Sequence, residues 1–548
     1  MTSPLRSHWT GAAIVALLLA VVHTWPLATA PWRVSLNYNG DVMLNEWIVA
    51  WIQHQLPRAP FALFQANIFH PARDVLAFSE PLIVPALLGW PVRLLGGSPV
   101  LVHNVLLIAG LALTMLGTYA LAHHWTRDPF ASLAAGAAFT FNTQSLMRLE
   151  HLQAAHAYGL PLALLAADRL MLTGERRYAW WLAGWMIAMV YTSGYLVIFA
   201  CVALAVLLLA RTWTWRPQAA RVIGGFSLAA VVTGMVTLPL YLPYRRVAQE
   251  QMMVRTLEGV TEFSASPGGY LSSNSRLHGL LWNAAVPEGA LDTFFPGLTV
   301  GLLALFGVAA PIVFRRQRRG LRPGPSVVAG LVALAIVGAV LSLGTQTPIY
   351  GWLYTVFPPM SAIRAASRFG LLFLLGTAVL AAIGLAAVRM RISSRPSVAA
   401  GMLAVLLITA EAFRAPIRYT EFEGIPGIYR LLAREPGQVV LVEVPFYPPE
   451  AIFMNAEYVL NSTAHWRPLM NGYSGYTPLS YREVAWPFWN FPDGGSIDAM
   501  RAAGVTHIVV HPARFDHEGP EVLRKALAHP RLERLAVSRG NVTLFTLR

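Results

Sequence analysis

The chain has 548 residues, 55% of them hydrophobic and 12% charged, with a formal net charge of +14. A basic balance of this size would ordinarily suggest a nucleic-acid partner. Here the excess sits in short arginine-rich turns between apolar runs, and Lys525 is the only lysine, so nucleic acid is excluded. The one cysteine, Cys201, lies in an apolar run, so exported parts have no internal disulfide.

A bilayer core about 30 Å thick needs roughly 20 apolar residues per helix. Eleven segments meet or approach this: 11–30, 99–122, 129–145, 159–173, 178–195, 195–211, 222–243, 294–314, 326–344, 369–388 and 397–414. Every second connection is short and basic: Arg127; Arg176 and Arg177; Arg211, Arg216 and Arg221; Arg315, Arg316, Arg318, Arg319 and Arg322; Arg389, Arg391 and Arg395. With Arg6 these make 15 basic residues against two acids, Asp128 and Glu175. The positive-inside rule puts this set in the cytoplasm, which predicts an N-terminus inside and a C-terminus outside. The same arginines meet anionic lipid headgroups. Arg6, the apolar run after it and Ala28-Thr29-Ala30 mimic a signal peptide, but ten further spans and Pro31 favour an uncleaved anchor.

The fold class expected is an all-α polytopic membrane domain, residues 1–414, with large external loops at 31–98 and 244–293. A small extracytoplasmic α/β domain, 415–548, follows. In the first loop, Leu44, Trp47, Ile48, Trp51 and Ile52 recur at helical spacing opposite Asn45, Gln53 and His54. That pattern predicts an amphipathic helix lying in the interface with its tryptophans at headgroup depth. Pro81–Leu95 is short and proline-interrupted, and reads as re-entrant or interfacial. The second loop carries Tyr270, Trp282, Glu288 and Asp292.

The tail is electrically neutral, with 13 basic and 13 acidic residues. Its pattern predicts strands at Val439–Val444 and Thr506–Val510, helices at Ile497–Ala503 and Glu521–Leu527, and a strand or hairpin over Leu535–Leu547. The stretch 446–491, which holds Trp466, Tyr473, Tyr476, Trp486 and Trp489, shows no clear period.

Ionisable residues beside apolar spans are functional candidates. Asp41 follows the first span in Asn37-Tyr38-Asn39-Gly40-Asp41 and opens the interfacial helix. The structural alternative is that it is that helix's N-cap. Arg148, Glu150 and His151 share the external turn between spans three and four, where an Arg–Glu surface pair is the plainer reading. His70 and Glu80 each precede a proline in the first loop. Arg364 and Arg368 stand one helical turn apart at the outer end of span ten, where paired guanidinium forks suit a phosphate; snorkelling is the alternative. Arg245 and Arg246 form a second external pair. Asp168 and Glu411 lie within or at the end of spans, each followed by an arginine, Arg169 or Arg414. Tyr473 and Trp486 offer aromatic faces suited to sugar rings, or else anchor the tail by burial.

An acid just after the first helix, interfacial helices in that loop and a second acid in the next external loop form a recognisable set. The chain resembles the C-type (GT-C) membrane glycosyltransferases, the polyprenyl-phosphate-sugar-dependent enzymes related to protein mannosyltransferases and aminoarabinose transferases. It is similar to an uncharacterised bacterial branch through Ile68-Phe69-His70-Pro71, Phe295-Pro296-Gly297, Ile363-Arg364, Arg368-Phe369 and Asn471-Gly472-Tyr473. The resemblance implies Asp41 as catalytic base and Glu150 as the second-loop acid. Many relatives have paired acids in the first loop, whereas Asp41 is followed by Val42 and the nearest acid is Glu46. The sequence therefore supports no divalent metal, and no other cofactor is expected.

The activity implied is inverting transfer of a sugar from a polyprenyl-phosphate donor to a glycan, lipid or protein acceptor outside a bacterial-type plasma membrane. Arg364 and Arg368 would bind the lipid phosphate; His70, Glu80, His151, Tyr473 and Trp486 would line the substrate site. Two other classes stay open: a transporter or flippase for a lipid-linked substrate, and a non-catalytic assembly protein. A transporter predicts ionisable or broken sites near mid-membrane, whereas the strong candidates here gather at the external ends of spans.

Overall fold

The structure is a computed structural model that describes residues 4–252, 256–281, 292–313, 324–357, 360 and 363–548. It is mostly helical, at 69%. A helix lies in every segment expected to span, from Pro4–His23 to Ser394–Ala412. Among the described residues five helices are long and apolar enough to cross a membrane: Pro99–Thr126, Thr212–Glu250, Pro325–Ser342, Ala366–Arg389 and Ser394–Ala412. His8–His23, Gly194–Ala210 and Leu298–Pro311 are shorter apolar helices. Trp282, Glu288 and the arginines at 315–322 lie outside the described residues.

The chain forms two compact units, neither continuous in sequence: 1–29 with 106–238 and 254–417, and 30–105 with 239–253 and 418–548. The expected division at 414 followed the change in composition. The first external loop instead shares a unit with the tail.

In the first unit, local signals set the helix ends. Asp128 caps Pro129–Thr140, accepting from the N–H groups of Phe130 and Ala131 at 2.9 and 3.0 Å, with Pro129 in the first turn. Its other oxygen accepts from Arg389 Nε at 2.7 Å. Helices Leu298–Val313 and Gly370–Arg389 pack backbone to backbone: a Cβ on Gly307 would strike the Leu380 carbonyl, and one on Gly384 the Leu303 carbonyl. The two acids near spans do not pair with the arginines that follow them. Asp168 is fully buried and takes Arg211, His124 Nε2 at 2.7 Å and Trp125 Nε1 at 3.0 Å. Glu411 accepts from the Thr299 N–H at 3.1 Å, at the start of Leu298–Val313. Gly297, at φ +96°, leaves room for that carboxylate, which explains a glycine in Phe295-Pro296-Gly297.

The second unit holds a short pair, β1 (Val34–Ser35) against β2 (Thr420–Glu421), and a four-stranded sheet. The sheet's strands are β3 (Leu441–Val444), β4 (His507–Val510), β5 (Leu532–Val537) and β6 (Thr543–Leu547), in the order β3-β4-β6-β5. β3 and β4 run parallel; β4–β6 and β5–β6 are antiparallel. Residues 468–471 run along the free edge of β3, where Leu441 N–H donates to the Pro468 carbonyl and Met470 N–H to the Leu441 carbonyl, each at 2.8 Å. On their far side they take the first loop, with His70 N–H on the Leu469 carbonyl at 3.0 Å and Phe69 N–H on the Asn471 carbonyl at 3.1 Å.

Three expectations are corrected here. The helix expected over Leu44–Leu56 is Gly40–Gln55, and its middle, Leu44–Gln53, is buried on both the apolar and the polar face. Trp47 donates to Asn67 Oδ1 at 3.2 Å and Trp51 to the Leu63 carbonyl at 2.8 Å, while Gln53, nominally on the polar face, reaches the Ala86 carbonyl at 2.8 Å. A polar face can be buried when each group finds a partner. The stretch 446–491 is not aperiodic: it contains a 3₁₀ run, Pro449–Asn455, and helices Ala456–Asn461 and Leu479–Trp489, the last with Pro487 inside it. Arg364 and Arg368 are not on one turn of α-helix. Residues 366–369 form a 3₁₀ turn, held by the Ser367 N–H on the Phe263 carbonyl at 3.0 Å, and the α-helix begins at Gly370.

Candidate functional site

Asp41 occupies the first turn of Gly40–Gln55, but it is not the cap. Asn39 is: its side-chain oxygen accepts the Asp41 N–H at 2.9 Å. The Asp41 carboxylate accepts from the Tyr473 hydroxyl at 2.6 Å. Burial and the Asp41 charge both push the Tyr473 phenol above its ordinary value, so it donates throughout the physiological range. Gly40 lets the ring approach. A Cβ there would meet Tyr473 Cε1 at 3.2 Å and the Ala456 methyl at 3.3 Å. Gly472 serves the same end, since the Phe69 ring fills the place of its Cβ. The segments Ile68–Pro71 and Asn471–Tyr473 are thus packed together beside Asp41.

Glu46 lies in the same helix, fully buried. Ser35 Oγ donates to it at 2.8 Å, and burial raises its carboxyl to about 8 against the opposing pull of the Ser35 and Asn37 hydrogen bonds. The Asn37 amide matches either charge state. With nitrogen inward it donates to both carboxylate oxygens, at 3.1 and 3.2 Å; with oxygen inward it accepts from a protonated carboxyl. A carboxyl with that value holds its proton at neutral pH.

The other expected residues fall into separate places. His70 is half-buried, and burial holds its imidazole below the ordinary value, so it is neutral near pH 7. Trp486 is 57% exposed on Leu479–Trp489, whereas Trp466 stacks on His54 with ring centres 4.5 Å apart. Glu80 is half-buried next to Ser79, whose carbonyl accepts from Tyr244 at 2.7 Å. Arg246 bridges Asp74 at 2.9 Å. In the first unit, Arg148 pairs with Asp292 at 2.9 Å rather than with Glu150, and Gln144 donates to the same oxygen at 2.9 Å. Glu150 and His151 follow in the turn before Leu152–Ala155. Arg364 is exposed with its guanidinium 4.2 Å over the Phe263 ring, and Arg368 stands 4.3 Å over Tyr195. The Arg364 N–H also donates to the Tyr195 hydroxyl at 3.3 Å, so both arginines gather around one tyrosine. Among the described residues no three His, Cys, Asp or Glu side chains are grouped to hold a metal ion.

No protein-family model and no curated protein matches the sequence. Solved structures are similar in fold. The arabinofuranosyltransferase AftD from Mycobacteria superposes over 99% of this chain with a TM-score of 0.58 at 16% identity. Its fold is that of the GT-C glycosyltransferases. The chain spans 40% of the length of that enzyme. Two GT-C structures superpose less closely. One is the oligosaccharyltransferase AglB from Archaeoglobus fulgidus, in complex with an inhibitory peptide and a dolichol-phosphate (TM-score 0.48, 14% identity, 94% of this chain and 71% of that one). The other is ArnT from Cupriavidus metallidurans bound to undecaprenyl phosphate (TM-score 0.47, 13% identity, 100% of this chain and 98% of that one).

In this chain, whose fold is GT-C-like, sequence reasoning missed Asn39 as cap, Tyr473 as the partner of Asp41, Asp292 as the partner of Arg148, and Glu46 as a buried acid. Asn39 alone was legible: Asn caps as well as Asp, and it stands two residues earlier.

Proposed function

We propose that this protein is an integral membrane glycosyltransferase that moves a sugar from a polyprenyl-phosphate donor to an acceptor hydroxyl, with Asp41 as general base. The GT-C fold supports the class of reaction. The observation that carries the role is the 2.6 Å bond from the Tyr473 phenol to a carboxylate that caps no helix. A carboxylate has about four lone-pair sites, and the phenol takes one of them, which helps to orient the group.

In the step proposed, the acceptor oxygen attacks the anomeric carbon as its proton passes to Asp41. The bond from that carbon to the phosphate oxygen breaks, and polyprenyl phosphate departs. Direct displacement inverts the anomeric centre. A positioned base contributes roughly 10²–10⁴-fold. Arg364 and Arg368 are assigned to the phosphate, whose developing charge they would stabilise. Their rings hold the guanidinium planes while leaving donor edges for oxygens. Glu150 and His151 are assigned to orienting the acceptor, with His70, Glu80 and Trp486 lining the substrate site. Eleven spans with the N-terminus inside would put Asp41 and the α/β tail on the outer face of a bacterial-type plasma membrane, which suits a carrier-linked sugar and an external acceptor.

The test is reconstitution of the full chain in lipid vesicles with radiolabelled polyprenyl-phosphate sugars. Label should appear in an acceptor, or as free sugar by slow donor hydrolysis. Neither product with any of a panel of pentose, hexose and aminosugar donors would overturn the assignment.

A further inference from the structure

Two segments from the tail border Gly40 and Asp41, and a single side chain ties them together. One segment ends in Tyr473. The other carries Phe453 and Ala456, whose carbonyl oxygen and methyl would lie 3.4 and 3.3 Å from a Cβ on Gly40. Asn471 is fully buried between them. Its side-chain oxygen accepts the Glu443 N–H at 2.8 Å, and its Nδ2 donates to the Glu443 carbonyl at 2.9 Å. Nδ2 also donates to Asn455 Oδ1 at 3.1 Å, and Asn455 donates onward to the Tyr481 hydroxyl at 2.8 Å.

With its carboxamide, Asn471 thus makes the two bonds to β3 that a paired strand residue makes with its backbone. Both amide hydrogens are used, and no residue type but Asn supplies this donor and acceptor pair at this length. Fixing Asn471 to β3 fixes Tyr473 two residues on. Fixing Asn455 to Asn471 fixes Phe453 and Ala456.

We propose that Asn471 is a positioning residue for the Asp41–Tyr473 pair: its side chain bonds to Glu443 and Asn455, and these bonds set where the phenol meets the carboxylate. The proposal rests on the reading of Asp41 as base. Displacement of a reacting group by about 1 Å can cost about 10²-fold in rate, so a smaller loosening should lower kcat without changing substrate affinity.

The experiment uses the full chain in nanodiscs, with Asn471→Ser and Tyr473→Phe alone and combined. Sugar transfer gives kcat and KM. Iodination of Tyr473, read by mass spectrometry against the exposed Tyr38, reports the phenol's surroundings without any turnover. Asn471→Ser is expected to lower kcat roughly tenfold with KM unchanged, and to speed Tyr473 iodination about fivefold, the worth of one lost hydrogen bond. The double variant should be no slower than Tyr473→Phe, because both changes remove the same restraint. Losses that multiply in the double variant, or a wild-type kcat with unchanged iodination, overturn the proposal. If Asn471→Ser fails to insert, Asn455→Ser cuts only the second link and is judged by the same outcomes. A wild-type protein without transfer activity would refute Asp41 as base, while the iodination result still decides whether Asn471 positions Tyr473.

Discussion

Replacing Glu46 with Gln should stabilise the protein, and increasingly so as the pH rises. The Glu46 side chain is fully buried, and burial moves its carboxyl from 4.5 to about 8. In the unfolded chain it ionises above 4.5; in the folded chain it keeps its proton until about 8. Between those values the folded state binds more protons, so wild-type stability falls as the pH rises through the window and levels off above it. At pH 7, about 2.5 pH units above the unfolded value, about 1.4 kcal/mol per unit gives a deficit of about 3 kcal/mol. Gln keeps the shape, accepts from Ser35 and donates to the Asn37 oxygen, yet has no charge to desolvate. Melting temperatures of the full chain in nanodiscs at pH 5, 6, 7 and 8 make the test. The two proteins should be close at pH 5, with Glu46→Gln ahead by a widening margin up to pH 8. A margin independent of pH, or a variant less stable at pH 8, would show that the folded carboxyl is ionised and paired, and would refute the reasoning.

Asp41→Asn should lower sugar transfer by roughly 10²–10⁴-fold while insertion and melting stay close to wild type, because Asn39 and not Asp41 caps the helix; wild-type turnover would remove Asp41 from the mechanism. Arg364→Lys and Arg368→Lys keep the charge but lose the planar fork and its stacking on Phe263 and Tyr195, so the donor KM should rise roughly tenfold with insertion unaffected; an unchanged KM in both would free these arginines from the donor. Trp486, 57% exposed, should raise the acceptor KM when changed to Ala and leave donor hydrolysis intact, and a parallel fall of both activities would count against it. Alkaline phosphatase should be active when fused after residue 420 and inactive after Arg319; the reverse would invert the topology.

Much of the helical architecture was legible because it is local. A run of apolar residues must be helical in lipid, where no water satisfies the backbone, and helices stand in each of those runs. The tail's strands and hairpin followed from period-two patterning, with boundaries off by a few residues. The misreadings share a cause, which is that a pattern names the faces of an element and not what covers them. Trp47 and Trp51 read as interfacial because half of their helix is polar, yet the loop supplies Asn67 and the Leu63 carbonyl as their partners and the tail's Trp466 packs against Trp51. The i, i+4 spacing of Arg364 and Arg368 implied one helical face, and a hydrogen bond from Ser367 to a distant loop carbonyl wound the turn as 3₁₀ instead.

What the sequence determined by itself is therefore the kind of fold and the segments that become helices, with Asp41 singled out as a candidate. Each is set within a few turns of chain, by hydropathy, by arginine placement and by what lies next to an apolar run. Only the tertiary structure decided what Asp41 meets there. Its phenol partner lies 432 residues away, and their meeting depends on a sheet edge, two glycines and a buried amide. No local preference encodes such a contact, because each of those residues is ordinary in its own neighbourhood and acquires its role from the packing that joins them.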